Sequence, residues 1–205
     1  MSRARIRPTR DQTRERLFEA AAEVFEERGI GAATIEAIAE TAGLTRGAFY
    51  SNFASKDELI IAMIEDHVEQ SSRRNLALLA EHRDPVDFVT ALRAVDRSQQ
   101  DPLGRSPLLH MELILYEARS VEHRPELAKR LRDRRHLIVE IIATNNRALG
   151  RSGYVDPAWA GMLLALEDGF RLHALIDPDD TPADSFLCAV SDLQRAIGLL
   201  ASSDA

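Results

Sequence analysis

The chain has 205 residues, 45% hydrophobic and 29% charged, which is long enough for a substantial core in one domain or two. No apolar run reaches the roughly 20 residues of a membrane helix, no signal-peptide pattern is present, and the lone Cys188 excludes an intramolecular disulfide framework, so we expect a cytoplasmic protein without a membrane partner. The formal net charge of −7 by itself argues against a nucleic-acid partner, because phosphate neutralisation needs lysine and arginine.

The N-terminal segment reverses this charge. The first sixteen residues contain six arginines against Asp11 and Glu15. Residues 1–11 have no apolar face and are predicted to form a flexible arginine-rich arm. Such an arm can enter a DNA minor groove, although most charge runs are simply solvated. From Gln12 onward apolar residues recur at helical spacing, and Gly29 is expected to close this first helix.

Two short helices joined by a tight turn are predicted next, at about 34–42 and 45–53. Gly43 supplies the positive φ that a sharp turn between helices needs. The apolar residues suited to a small core are Ile35, Ile38, Ala42, Leu44, Phe49 and Phe53. Hydroxyl side chains that can cap free backbone N–H groups stand at three helix starts, namely Thr34, Thr45 and Ser55. This arrangement is typical of a helix-turn-helix that reads the DNA major groove.

The rest of the chain is also predicted to be helical. Ser55-Lys-Asp-Glu58 is a capping-box pattern that opens a fourth helix running into the low seventies. Further helices are expected from Pro85, from 108 to 118, from Pro125 to about 149, from 156 to 176 and from about 183 to 202. No strand-like alternation appears. The predicted fold class is therefore all-α, with about nine helices.

The motif residues of the helix-turn-helix segment can be compared with known families. They are Thr34, Ile38-Ala39, Ala42-Gly43-Leu44-Thr45, Gly47, Phe49-Tyr50, Phe53, Ser55-Lys56 and Glu58-Leu59. This pattern resembles the TetR (tetracycline-repressor-like) family of bacterial transcriptional regulators. The resemblance implies a DNA-binding domain at 12–65 and a helical ligand-binding and dimerisation domain at 66–205. It says nothing about the ligand or the regulated genes.

The same resemblance assigns nine residues to a double-stranded DNA operator. Phosphate contacts are expected from Thr34, Thr45, Tyr50 and Lys56. Base edges are expected to face or approach Arg46, Gly47, Ala48, Ser51 and Asn52. Arg46 is the best candidate for sequence reading, because one guanidinium can bind O6 and N7 of guanine together. The alternative for Thr45 and Ser55 is a role as helix caps only.

The last two long helices suggest a homodimer. The helices near 156–176 and 183–202 are apolar over most of their circumference, and one small body seldom buries two such helices completely. A two-fold interface would bury both, as the resemblance also implies, and would present two recognition helices to a palindromic operator. Gly161, Ala165 and Gly169 lie four residues apart and would permit close helix approach. The alternative for any single residue is an intrachain core.

The signal for an effector site is weaker. Side chains that could line a cavity among the C-terminal helices are Phe88, Met111, Tyr116, Met162 and Phe170, although such residues are more often plain core. Polar residues that could orient a ligand are His110, Glu112, Glu117, Glu167 and His173. By family analogy the effector is a small apolar or amphipathic molecule. Regulation by a protein partner stays open, as does repression against activation.

No motif in the sequence recommends an enzyme. A carboxylate-bridged di-iron site needs Glu-x-x-His pairs, and no histidine of this chain follows a glutamate at that spacing. A nucleophile elbow, a P-loop, a dinucleotide fingerprint and zinc-spaced cysteines or histidines are also missing from the sequence. We therefore expect no catalytic residues, no metal and no cofactor.

Overall fold

The computed structural model describes residues 9–82, 84–98, 103, 106–148, 150, 152–182 and 184–203. The helices in this part of the chain are α1 (Arg10–Ala32), α2 (Ile35–Thr41), α3 (Arg46–Tyr50), α4 (Lys56–Glu81), α5 (Pro85–Ser98), α6 (Pro107–Arg119), α7 (Arg124–Ala148), α8 (Pro157–Ile176) and α9 (Ser185–Ser203). No strand occurs within these described ranges, and the all-α prediction is confirmed. None of the described helices is both long and apolar enough to cross a membrane.

The chain divides into two compact units. The first comprises residues 1–69 and 101–116, and the second comprises residues 70–100 and 117–205. The segment that ends at Tyr116 thus belongs with the helix-turn-helix, although the sequence analysis assigned it to the domain at 66–205. The reason is packing, because Leu109 and Leu113 of α6 are buried in the same core as α1 to α4. The carboxylate of Glu112 also accepts a hydrogen bond of 3.1 Å from the Ile30 N–H.

Aromatic rings form the centre of the first unit. Phe53 lies 5.8 Å from Phe18 and 5.9 Å from Phe49 between ring centroids, and both Phe49 and Phe53 are fully buried. Ile38 and Ala42 are buried around these rings, while the predicted core residues Ile35 and Leu44 pack against the cluster from its edge. The packing fixes α2 and α3 against α1, which is how so short a helix as α3 is held in place.

The N-terminal boundary differs from the predicted one. α1 begins at Arg10, after a capping box in which Thr9 accepts from the Gln12 N–H and the Gln12 side chain accepts from the Thr9 N–H. The prediction of an arm over residues 1–11 is therefore wrong for residues 10 and 11, which are helical, and residues 1–8 lie outside the described residues. Gly29 interrupts α1 with a φ of 74°, as expected of a closing glycine, but helical structure resumes up to Ala32.

The start of α4 follows the predicted capping pattern with one change. Ser55 Oγ accepts a 3.0 Å hydrogen bond from the Glu58 N–H. The Glu58 carboxylate accepts from the Ala54 N–H at 2.6 Å, one residue before the position that a standard capping box would use. α4 then runs to Glu81, well beyond the low seventies, because the polar residues after Gln70 include many good helix formers.

The second unit is a set of packed helices. α7 packs on α8, and α9 packs on both α5 and α8. An ion pair of 2.8 Å between Arg93 and Asp184 joins the α5 and α9 segments, and the Phe170 and Phe186 rings meet at 6.2 Å between α8 and α9. Asp156 caps α8 through the Ala158 N–H, with Pro157 at the first helical position, as the sequence indicated.

Candidate nucleic-acid interface

The turn between α2 and α3 sets the direction of the second helix. Gly43 has a φ of 62°, which confirms the predicted need for glycine at this position. Its N–H bonds to the Glu40 carbonyl, and the Leu44 N–H bonds to the Ala39 carbonyl, both at 2.8 Å. Arg16 of α1 donates to the Ala42 carbonyl and so closes the end of α2. The turn is consequently locked by main-chain and side-chain bonds together.

Two threonines cap the helices that flank the turn. Thr34 Oγ1 accepts from the Ala37 N–H at 3.2 Å, and Thr45 Oγ1 accepts from the Ala48 N–H at 3.1 Å. Both residues are exposed. Because each hydroxyl acts only as an acceptor in its cap, each retains its own O–H for a further acceptor such as a phosphate oxygen. Capping and phosphate binding are thus compatible at both positions.

Arg46 begins α3 with an exposed but organised guanidinium. Nη1 lies 2.9 Å from Glu36 Oε1 on α2, and Nη2 donates to the Tyr50 hydroxyl at 3.3 Å. The guanidinium carbon also lies 5.4 Å from the centre of the Tyr50 ring. The hydrogen bond to Tyr50, and after it the charge of Glu36, raise the pKa of Arg46. Tyr50 accepts from Arg46 and keeps its own O–H for a phosphate.

Gly47 stands open beside Arg46. It is exposed, and a Cβ added there would meet only Thr45 Oγ1, at an ordinary 3.8 Å. No positive φ requires glycine at this position. The fold therefore has room for alanine at this position. Ala48, the next residue, is half-buried.

Ser51 and Asn52 are turned back on the helix. Ser51 Oγ and Asn52 Nδ2 both donate to the Ala48 carbonyl at 2.8 Å, while the Asn52 N–H bonds to the Phe49 carbonyl instead. These side chains end α3 at Tyr50, short of the predicted Phe53, because they compete for the carbonyl that a continuing helix would use. Asn52 is only 9% exposed, so the structure does not place it among outward-facing groups. Ser51 is exposed, but its hydroxyl hydrogen is used within the helix.

Lys56 has a structural partner that the sequence did not indicate. Its ammonium group donates to the carbonyls of Ile30 at 2.7 Å and Ala33 at 2.9 Å, and so ties the first turn of α4 to the end of α1. An ammonium group has three N–H donors, and these two bonds leave one for a phosphate. Substitution of Lys56 would consequently disturb folding as well as any phosphate contact.

Two arginines of α1 were missed as structural residues. In the sequence these two residues stand out only as positive charge near the arm. The Arg14 guanidinium lies 4.7 Å from the Phe53 ring centre and 5.6 Å from that of Phe18, and it covers the aromatic core. Arg16 closes α2 at the turn, as described above. The helical spacing of their neighbours was visible in the sequence, but the partners of these two residues were not.

Two family models match successive parts of the chain. Residues 17–63 match the model for bacterial regulatory proteins of the tetR family, and residues 82–196 match that of the tetracyclin repressor-like C-terminal domain. The chain belongs to the TetR family. The resemblance inferred from the motif residues is therefore confirmed.

Individual regulators also resemble this chain in sequence. The regulator TtgR of Pseudomonas putida is 37% identical over 89 residues, which cover 43% of this chain and 41% of TtgR. The regulator UidR of Escherichia coli is 28% identical over 146 residues, 71% of this chain and 70% of UidR. The chain thus matches less than half the length of the first relative and about two thirds of the second.

A solved structure extends the likeness over nearly the whole chain. SmeT, the repressor of the Stenotrophomonas maltophilia multidrug efflux pump SmeDEF, superposes with a TM-score of 0.65 and 25% identity, over 92% of this chain and 91% of SmeT. A SmeT–triclosan complex gives a TM-score of 0.66 at 24% identity and covers 90% of each chain. Both units of this TetR-family chain therefore have counterparts in one known fold.

The residues predicted for an effector site are divided between the two units of the TetR fold. His110, Met111 and Tyr116 belong to the first unit. There the Tyr116 hydroxyl donates to Asp57, and burial followed by this hydrogen bond raises the pKa of Tyr116 to about 12. Phe88, Met162 and Phe170 belong to the second unit. That these residues line one cavity therefore stays a prediction.

Within the second unit these three residues also have different environments. Phe88 is buried, Phe170 packs on Phe186, and Met162 is 43% exposed on α8. Met162 therefore belongs to the outer surface of α8 and not to an interior wall. Trp159 and Leu166 are also exposed on this helix.

The glutamates expected to orient a polar ligand have partners of their own. Glu117 is buried and pairs with Arg130 at 2.6 Å. Glu167 pairs with Arg134 at 2.7 Å and with Arg171 at 3.0 Å, which holds α7 against α8. Glu112 is bonded to Ile30, as described for the fold. These three carboxylates therefore act as structural ties in this structure.

Proposed function

We propose that this TetR-family chain is a transcriptional repressor that acts in the cytoplasm, binds a palindromic operator as a homodimer and is released by a small molecule. The observation that carries the proposal is the exposed pair Arg46 and Gly47 at the start of α3. They directly follow Thr45, which caps α3, while Thr34 caps α2, and both threonine hydroxyls retain a free O–H. Such a surface offers one base-reading cation and several phosphate donors to a major groove.

The proposed interface is smaller than the set of residues predicted from the sequence. Base contacts are assigned to Arg46 and to the backbone at Gly47 and Ala48. Phosphate contacts are assigned to the hydroxyl groups of Thr34, Thr45 and Tyr50. The third N–H of the Lys56 ammonium group is also assigned to a phosphate. We leave Asn52 out because its side chain is buried, and Ser51 out because its hydroxyl hydrogen is used within α3.

The exposed surface of α8 supports the homodimer. Ala160, Leu164 and Glu167, at i, i+4 and i+7, form the face that packs inward, where both Ala160 and Leu164 are buried. Another face carries exposed apolar residues, namely Trp159, Met162, Leu166, Leu172 and Ile176. Soluble proteins seldom leave so many large apolar side chains exposed on one helix unless a partner covers them.

The small residues of α8 refine this interface. Gly169 has open space where a Cβ would stand, and Ala165 is exposed, so both are free to meet a second helix. The added Cβ of Gly161 would lie 3.8 Å from Arg135, which places Gly161 toward α7. We therefore assign Ala165 and Gly169 to the two-fold contact. On α9, Leu193 is also exposed, and the side chains after residue 195 lie outside the described ones.

The release step rests on family likeness. SmeT, which shares the fold, has been solved in a complex with triclosan, a small molecule. We propose an effector of that class, small and apolar or amphipathic, whose binding favours a DNA-free arrangement of the dimer. The alternative is release by a protein partner.

Selection of bound sequences from random DNA tests the proposal. We expect an enriched palindrome with half-sites about one DNA turn apart. Arg46→Ala should lose preference at one base pair in each half-site, by roughly tenfold to a hundredfold. Recovery of no enriched palindrome would overturn the proposal. Titration of the operator complex with apolar compounds then tests release, and failure across a broad panel would favour the protein partner.

A further inference from the structure

The ion pair between Arg46 and Glu36 crosses from α3 to α2. Nη1 of Arg46 contacts Glu36 Oε1 at 2.9 Å, and Nη2 contacts the Tyr50 hydroxyl at 3.3 Å. The side chains of Arg46 and Glu36 are 62% and 57% exposed. Both terminal nitrogens of the one base-reading cation are thus held by side chains at the protein surface.

This arrangement leaves suitable donors on the guanidinium. An arginine has five N–H donors, of which Glu36 and Tyr50 take one from each terminal nitrogen. One N–H remains on each of these two nitrogens, together with the Nε–H. A guanine O6 and N7 need two such donors from one planar group. Arg46 can therefore keep its protein contacts while it binds a base edge.

A free arginine would behave differently. Phosphate oxygens surround every site on DNA, and a mobile guanidinium near them binds whichever is closest, at any sequence. A carboxylate that holds the guanidinium in one place disfavours that contact. The same carboxylate repels phosphates and so weakens binding to every sequence. A negative residue at this surface is consequently unfavourable for affinity, and its advantage must lie in discrimination.

We propose that Glu36 is a positioning residue that sets base specificity by holding Arg46 for guanine and away from the phosphates. The inference rests on the proposed function, since it requires that α3 reads DNA. It adds a residue on α2 that the sequence analysis did not assign to the interface. Tyr50 acts from the other side, as acceptor from Nη2 and as the ring beneath the guanidinium.

The test is a double-mutant cycle on DNA-binding specificity. The variants are Glu36→Gln, Arg46→Ala and the two combined, with Glu40→Gln as a matched control. Glu40 is another exposed glutamate of α2, so its substitution removes the same charge from the same helix. Each protein is titrated with the selected operator, with the operator altered at the base pair that Arg46→Ala identifies, and with unrelated duplex DNA.

We expect Glu36→Gln to lower discrimination at that base pair by about threefold to tenfold, a range typical of coupled polar contacts. Discrimination at the other positions should be unchanged. Glu40→Gln should preserve it everywhere. Both substitutions should strengthen binding to unrelated DNA, and Glu36→Gln should do so more, because it also frees Arg46 to bind phosphates. In the Arg46→Ala background, Glu36→Gln should have no effect on base preference. Thermal unfolding of each variant checks that the fold is retained.

Failure of this inference can be distinguished from failure of the proposed function. If wild-type protein selects an operator and Arg46→Ala relaxes it, but Glu36→Gln behaves like Glu40→Gln, the inference fails and the proposed function stands. If wild-type protein selects no sequence, the proposed function fails and Glu36 loses this role with it.

Discussion

The two units expose opposite kinds of side chain on the surfaces that we assign to binding. In the first unit, the phenylalanines are buried and the Arg46–Glu36 ion pair is more than half exposed. In the second unit, the side chains of Arg130 and Glu117 are only 12% and 2% exposed, whereas Leu166, Leu172 and Leu175 of α8 are exposed. The same residue types therefore serve recognition in one unit and folding in the other.

The difference follows from the partner that each surface fits. DNA presents phosphates and polar base edges, so its reader must keep charges in water until the complex forms. A second protein chain presents apolar helix faces, against which exposed leucine and methionine side chains can pack. Burial of an ion pair is unfavourable unless its geometry is good, so Arg130–Glu117 indicates a tie that the fold of the second unit needs.

The largest expected effect concerns the exposed apolar face of the second unit. Leu166→Glu should convert the proposed homodimer to monomer, because a carboxylate cannot be buried opposite its own copy. Loss of the second half-site should weaken operator binding by about a hundredfold or more. Sedimentation and DNA titration measure the two effects. Leu131→Glu, on the surface of α7, is the control, and a dimeric Leu166→Glu protein with normal affinity would contradict the assignment.

The buried ion pair should govern stability. Glu117→Gln leaves the Arg130 guanidinium without a charged partner, and Nε and Nη2 of Arg130 already lack hydrogen-bond partners among the described residues. We expect the free energy of unfolding to fall by about 3 kcal/mol. Denaturant unfolding measures it, with Glu36→Gln as the exposed counterpart that should unfold like wild type. Equal stability of all three proteins would remove the contrast between the two pairs.

Substitution of Gly47 should change DNA binding and folding stability in opposite directions. Gly47→Ala should stabilise the free protein by about 0.5–1 kcal/mol, because alanine favours a helix and its Cβ has room. Operator affinity should nevertheless fall by about tenfold, the scale of one lost base contact. Gly31→Ala is the control, since Gly31 also has open space around its added Cβ. Full operator affinity in Gly47→Ala would show that the DNA backbone does not approach this residue.

The smallest effect concerns alkaline stability. Because the folded state raises the pKa of Tyr116 to about 12, it holds this proton between pH 10 and 12, where an unfolded tyrosine has released it. Stability therefore falls as pH rises through this range. Tyr116→Phe should show a shallower fall of the melting temperature between about pH 9 and pH 11.5. Tyr154→Phe, at an exposed position, should match wild type, and identical slopes for all three would refute the assignment.

The sequence predicted the features that depend on neighbours along the chain. Gly43, the threonine caps and the buried Phe49 and Phe53 all follow from short-range rules for turns, helix starts and helical spacing. Each of these rules uses residues within about four positions, so the printed sequence contains what they need.

The features that depend on distant residues could not be predicted. Arg16 bonds across 26 positions to Ala42, Lys56 across 26 to Ile30, and Glu112 across 82 to Ile30. In the sequence each is simply a charged residue on a helix, and only the packed fold supplies its partner. Asn52 is different, because its side chain bonds to the Ala48 carbonyl only four positions away, and this local competition for a helix carbonyl was overlooked in the sequence. The predicted effector residues are divided between the two units, and their convergence on one site stays a prediction.

The length of α3 limits how the specificity of this protein can be redesigned. A helix of five residues has no stability of its own, and its position is set by the Gly43 turn, the Phe49 anchor and the tie between Lys56 and α1. A synthetic peptide of α3 would be unstructured in water and would read no DNA. Transplanting α3 into another regulator would fail in the same way unless the recipient offered equivalent supports. Changes at 36 and 46–48 on the existing scaffold are therefore the practical route to a new operator.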